Sequence, residues 1–195
     1  MQSSYLHQQL LTLPNLLSSF RFVSAPGLLW FAWHGQKSAF LLLLAVTFLS
    51  DALDGFVARR TGLVSEFGAI LDSWADVVTY LTITLCAWWL WPAIVSHEAL
   101  YVALVIGSYL LPAAVGLIRF GRFTSYHTRA VKLAAVFMAA SLFLLFLGGP
   151  AWPFRIAALV CAAAALEEIA ITLSLSKFRT NIRGIFDAIG KKPEA

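Results

Sequence analysis

The chain has 195 residues, of which 60% are hydrophobic and only 12% are charged. A water-soluble surface usually needs about 25% charged residues, so this composition excludes an ordinary soluble globule and places the chain in a lipid bilayer. The formal net charge of +4 does not point to nucleic acid, because the basic residues gather at the edges of apolar runs and no nucleic-acid-binding motif is present.

An all-α integral membrane protein is predicted, forming one domain over residues 1–195. Its six spans run over 15–34, 38–58, 68–94, 99–118, 130–148 and 154–175, each near the roughly 20 residues that cross hydrocarbon. The stretch before Pro14 carries no Lys or Arg, and no small-residue cleavage site follows a short apolar core. The first segment is therefore expected to persist rather than act as a secretory signal. Gly35 divides the first two spans, and the second ends in a run of Asp and Arg residues. The third span opens on more Asp residues and is long enough for its first half to extend beyond the hydrocarbon. It closes on Trp88, Trp89 and Trp91 before Pro92, which read as an interfacial belt. A basic connection containing His127, read as a solvated side chain, joins spans four and five. Gly148, Gly149, Pro150 and Pro153 precede the sixth span.

That last span carries Glu167 and Glu168 in its cytoplasmic half. Adjacent helical positions diverge by about 100°, so at most one of the two is expected to face a given partner. A pairing with a basic residue of spans four or five is expected, a dimer contact being the alternative. Cys86 and Cys161 both fall in apolar runs, which disfavours a disulfide framework, and no Cys/His cluster for zinc is present.

Charge sets the orientation. With the termini on one side, that side receives Arg21, Arg59, Arg60, Arg119, Arg122, Arg129, Lys132, Lys177, Arg179, Arg183, Lys191 and Lys192. The other receives only Lys37 and Arg155, a division of 12 against 2 among the 14 basic residues. The positive-inside rule then places both termini in the cytoplasm. The basic tail reads as a surface segment that attracts anionic headgroups.

Four of the five Asp residues in the chain, Asp51, Asp54, Asp72 and Asp76, lie in one short region. Carboxylates near hydrocarbon are costly and mark function by default. Asp51 and Asp54 are spaced i, i+3, and Asp72 and Asp76 i, i+4, so each pair points to one helix face. If the connection 60–65 folds the two helices back antiparallel, four carboxylates converge, and cations or protons must relieve their repulsion. All-oxygen ligands suit Mg²⁺ or Mn²⁺ rather than zinc or copper, and two such ions clamp a displacement at phosphorus. The spacing therefore predicts a cytoplasm-facing polar metal site. Gly55 and Gly68 leave room for close approach, and the planar fork of Arg59 suits phosphate.

The stretch Asp51–Asp76 reads DALDGFVARRTGLVSEFGAILDSWAD. It resembles the signature D-x-x-D-G-x-x-A-R-x8-G-x3-D-x3-D of the CDP-alcohol phosphatidyltransferase family, whose eight specified residues are all present at the required spacing. A chance match at one place is on the order of 10⁻¹⁰ at average residue frequencies. Upstream, Pro14-Asn15-Leu16-Leu17-Ser18-Ser19-Phe20-Arg21 is similar to the P-N-x-x-[ST]-x-x-R that opens the first span of bacterial members.

The resemblance implies a transferase of phospholipid biosynthesis in the bacterial inner (cytoplasmic) membrane. It would move a phosphatidyl group from CDP-diacylglycerol to a small alcohol, with release of CMP. Asp51, Asp54 and Asp72 would bind the two metal ions, and Asp76 would touch one of them and act as general base. Gly55, Ala58 and Arg59 would line the CDP portion, Ser65 would meet a donor phosphate, and Asn15 and Arg21 would close the nucleotide side. A homodimer accompanies this reading.

The acceptor stays open between two classes. Glycerol-3-phosphate enzymes of the family often carry Lys after the fourth Asp, where this chain has Val77. Serine enzymes often read D-S-x-A-D-V-V, which Asp72–Val78 matches, but their small glycine-containing continuation is replaced by Thr79-Tyr80-Leu81. Arg119, Arg122, Arg129 and Lys132 would supply a second basic pocket for a phosphorylated polyol, towards which the reading leans. Outside the enzyme class, an acidic ion site in a transporter is the alternative. Such sites lie near the bilayer midplane in repeated halves, and no repeat is seen here. A non-catalytic scaffold is disfavoured by the complete signature.

Overall fold

The computed structural model describes residues 13–61, 66–121, 126 and 128–175. Among these the secondary structure is entirely helical. In chain order the helices are α1 Leu13–Trp33, α2 Lys37–Thr61, α3 Glu66–Leu90, α4 Pro92–His97, α5 Ala99–Phe120, α6 Arg129–Phe146 and α7 Trp152–Ser174. The six long helices coincide with the expected segments within a few residues, except that the third stops at Leu90. Pro92 removes an amide donor and disfavours helical geometry at Trp91, so the chain restarts as the short α4.

Among the described residues, two helices, α5 and α7, are long and apolar enough to cross a bilayer. The described apolar parts of α3 and α6 are Trp74–Leu90 and Ala130–Phe146.

The chain forms two compact units, Met1–Val95 and Ser96–Ala195. In the first, α1 packs against both α2 and α3. The buried stripe of α1 runs through Ser18, Arg21, Ala25, Leu28 and Ala32; that of α3 runs through Ala75, Thr79, Ile83, Cys86 and Leu90. Both follow the three-to-four-residue spacing of one helix face. From α2 come Phe40, Leu44 and Thr47. The opposite faces expose Leu42, Val46, Leu49, Leu81 and Leu85, as lipid contact requires. Small and hydroxyl-bearing residues hold the helices together. A Cβ on Gly27 would stand 3.0 Å from Leu43 Cδ2, and Thr47 Oγ1 lies 3.2 Å from Ser24 Oγ. The tryptophans divide: Trp88 and Trp89 are exposed, but Trp91 is buried against Phe40 with Lys37 over its ring. The expected belt thus loses one member to the core.

In the second unit α5 and α6 both pack on α7. Buried Ala157, Ala158, Ala164 and Ala165 give α7 a slim surface for close approach. At the start of these helices Arg155 makes a two-pronged ion pair with Glu98, at 2.9 and 2.7 Å, and lies over the Tyr101 ring.

Candidate metal centre

Three helices of the first unit build the site. Asp51 comes from α2, and Asp72 and Asp76 from successive turns of α3. One carboxylate oxygen from each lies within 4.8 Å of the others. Asp51 is the more open, with 47% of its side chain exposed against 27% for Asp72 and Asp76, so the cluster is open on the α2 side. The sequence expectation that the two acidic helices bring their carboxylates together therefore holds for these three residues. α2 stays helical to Thr61, which preserves the i, i+3 relation of Asp54 to Asp51. The side chains of Asp54, Gly55, Ala58, Arg59 and Asn15 lie outside the described part of the structure, as does Ser65 altogether.

Arg21 is the unexpected member. The motif likeness assigned it to the nucleotide side. Its side chain, 1% exposed, reaches from α1 into the carboxylates. Nη1 lies 2.8 Å from Asp51 Oδ1 and also meets Asp76, while Nη2 meets Asp72. Nη2 is also 3.4 Å from Ser18 Oγ. A guanidinium fork offers several donors in a plane, which suits carboxylates arriving from two helices. The i, i+3 spacing of Ser18 and Arg21 on the buried face of α1 was a visible sign that this Arg points inward.

One turn beyond Asp76, Thr79 is buried, and its hydroxyl finds no hydrogen-bond partner among the described residues. Sequence reasoning had marked Thr79 only as a departure from the serine-enzyme pattern.

The basic residues of the second unit are placed separately. Arg119, in the last turn of α5, donates from Nη2 to the Leu175 carbonyl at the end of α7, at 3.1 Å. Lys132 is exposed on α6. Arg129 begins α6, but its side chain lies outside the described part, as do Arg122 and His127. Glu168 accepts from the Tyr126 amide at 3.2 Å, and Glu167 accepts from the Thr128 hydroxyl at 3.3 Å. Glu168 thus meets a backbone donor. Two neighbouring Glu residues can also serve one connection, because Tyr126 and Thr128 present their donors two residues apart.

The sequence model of one family, CDP-alcohol phosphatidyltransferase, matches residues 11–175. The chain belongs to this family. The match runs across both compact units and includes the whole acidic cluster. Among similar proteins, the CMP-forming cardiolipin synthase of Streptomyces coelicolor is 34% identical over 110 residues, covering 50% of this chain and 51% of that protein. The CDP-diacylglycerol–serine O-phosphatidyltransferase of Methanocaldococcus jannaschii is 42% identical over 79 residues, 40% of this chain and 37% of that protein. The CDP-diacylglycerol–glycerol-3-phosphate 3-phosphatidyltransferase of Aquifex aeolicus is 38% identical over 68 residues, 35% of this chain and 38% of that protein. The matched part thus spans about half or less of these relatives. No solved structure matches the chain.

CDP-alcohol phosphatidyltransferases use divalent metal ions, and the cluster fits one. The donor set is all carboxylate oxygen, the hard type that such ions prefer. An ion of Mg²⁺ size holds oxygen at about 2.0–2.1 Å, so opposite ligands stand about 4.2 Å apart. Oxygens within 4.8 Å of one another reach that separation by small side-chain rotations. The buried guanidinium of Arg21 beside them shows that the surroundings favour positive charge.

Proposed function

We propose that the chain transfers a phosphatidyl group from CDP-diacylglycerol to a small phosphorylated polyol such as glycerol-3-phosphate, releasing CMP. The observation that carries this reading is the convergence of Asp51, Asp72 and Asp76 from two helices within the family signature. Asp51, Asp54, Asp72 and Asp76 would hold two divalent ions, Mg²⁺ or Mn²⁺. The ions supply neutralisation of the donor pyrophosphate and of the charge that develops on CMP.

The chain's own residues do the rest. Asp76 takes the proton of the acceptor hydroxyl. That oxygen forms a bond to the phosphorus bearing diacylglycerol, and the bond from this phosphorus to the CMP oxygen breaks, CMP keeping the electron pair. Gly55, Ala58 and Arg59 line the CDP portion, with Ser65 on a donor phosphate and Asn15 on the nucleotide side. Arg21 keeps the carboxylates of α2 and α3 aimed at one point. The acyl chains of the donor stay in the bilayer while its head enters the polar site. The molecule works as a multi-pass protein of the bacterial inner membrane, with cytoplasmic termini and as a homodimer.

Arg119, Arg122, Arg129 and Lys132 supply positive charge for the acceptor phosphate, a monoester with close to two negative charges. Serine is the second reading, favoured by the D-S-x-A-D-V-V match at Asp72–Val78. The deciding experiment is CMP release by purified protein with glycerol-3-phosphate, serine, inositol, inositol phosphate and a phospholipid bearing a free headgroup hydroxyl. Turnover with glycerol-3-phosphate or inositol phosphate, lost in chelator and restored by Mg²⁺ or Mn²⁺, is expected. Turnover of serine alone would replace the acceptor, and full turnover in excess chelator would remove the metal mechanism.

A further inference from the structure

The most extensive polar network among the described residues outside the Asp cluster lies where the α5–α6 connection meets the end of α7. Connections normally run over the surface. Here Tyr126 is 1% exposed and Thr128 is fully buried. The Tyr126 ring packs with Ile171, Leu175 and Phe120. Its amide donates to Glu168 at 3.2 Å, and its hydroxyl shares a hydrogen bond with Thr172 at 3.2 Å. Two residues on, Thr128 donates to Glu167 at 3.3 Å. The same Thr128 hydroxyl caps α6 by accepting from the Val131 amide at 3.3 Å.

Two adjacent acids in an apolar helix are a costly way to pack a loop. Apolar side chains would cover Tyr126 as well, but they could not satisfy the buried amide and hydroxyl that turn the chain into α6. The segment held in this way is short and basic at both ends. Arg119 precedes it in the last turn of α5, itself tied to the Leu175 carbonyl, and Arg129 and Lys132 open α6.

We propose that Glu167 and Glu168 are positioning residues for acceptor binding: through Tyr126 and Thr128 they fix the α5–α6 connection on α7 and so set the spacing of Arg119 and Lys132 for an anionic acceptor. This rests on the phosphorylated-acceptor reading above. Cations on two different helices bind one phosphate well only if their separation is held before it arrives. The Glu pair acts through the connection and not on substrate.

The test uses the full chain in detergent with glycerol-3-phosphate as acceptor. Glu168→Ala should raise the acceptor KM about ten-fold, leaving kcat and the KM for CDP-diacylglycerol within two-fold. Trypsin should cut faster at Arg122 or Arg129. Glu168→Gln should behave like the parent in both assays, because its side-chain carbonyl still accepts from the Tyr126 amide. Tyr126→Phe removes only the hydroxyl contact and should show the same pattern more weakly, which keeps the proposal testable if Glu168→Ala does not fold. Faster proteolysis with an unchanged acceptor KM overturns the positioning role. So does a joint loss of kcat, both KM values and melting temperature, which marks a purely structural contact. Lys132→Gln separates the two levels. If it raises the acceptor KM while Glu168→Ala does not, the positioning role fails alone. If Lys132→Gln leaves acceptor KM unchanged, the phosphorylated-acceptor reading fails and takes the proposal with it.

Discussion

Asp72 and Asp76 stand one turn apart on α3, are equally exposed and meet the same guanidinium. They are nevertheless assigned different work. On the proposed reading Asp72 would be a ligand, and its removal would take away one of the carboxylates that gather the ions. Asp76 would add the proton transfer, which typically accelerates such a step about 10²–10⁴-fold. Asp76→Asn should therefore lower kcat by about that factor while the donor KM and divalent-ion binding, followed calorimetrically, change only a few-fold. Asp72→Asn should lose turnover and ion binding together. Near-normal kcat in Asp76→Asn would assign the base elsewhere. Arg21 constrains both readings, because any variant that disturbs α1 also removes the cation that the carboxylates share.

Among the elements, the beginnings of α5 and α7 are joined by the Glu98–Arg155 pair, in which Glu98 is buried and Arg155 is half open to solvent. The hydrogen bonds from Arg155 hold the Glu98 carboxyl below its ordinary range, against the opposing effect of burial. A carboxyl with a depressed folded value binds protons more readily when unfolded, so folding becomes less favourable as the solution is acidified. The contribution is complete above the ordinary Glu value of about 4.3 and is lost as pH falls below it through the depressed one. Melting curves of the parent should therefore weaken below about pH 4.5 more than those of Glu98→Gln, in which this titration is gone. Parallel pH profiles would mean that the pair contributes nothing to folding. The ends of α1 and α6 show a different device. Gly35 and Gly148 adopt left-handed φ of +67° and +86°, and the following amides, Gln36 and Gly149, bond back to Phe31 and Leu144 at 2.8 Å each. Both glycines end their helices where such a reversal needs a residue without a Cβ.

For the whole molecule, the 12-to-2 division of basic residues is the strongest statement about orientation, because translocating Lys or Arg is costly. A reporter fused after Ala195 should be active in the cytoplasm, and Lys37 should be reachable by a membrane-impermeant amine reagent from the opposite side. A reporter active only outside would break the arrangement of six spans. Among the described residues, apolarity alone marks α5 and α7 as spans, and the helices of the acidic site carry charges within them. Topology mapping will therefore be most informative at the connection between α2 and α3.

The sequence by itself determined the family, the helical class, the positions of the six long helices and, from local spacing, that Asp51, Asp72 and Asp76 belong to one acidic group. These depend on local spacing: apolar length, glycine and proline at turns, and carboxylates one turn apart. A period of three to four residues is enough to place Asp72 beside Asp76, whatever surrounds them. Only the tertiary structure decided what fills the space between helices. Arg21 turns inward to the carboxylates because α1 lies between α2 and α3, an order that no local pattern encodes. Trp91 leaves the interfacial belt because Phe40 and Lys37 come from another helix to cover it. Glu168 meets the Tyr126 amide because that residue of the α5–α6 connection packs on α7, and a buried amide must find an acceptor. Each of these outcomes depends on partners distant in the chain, whose approach is set by packing and by the cost of leaving polar groups unsatisfied.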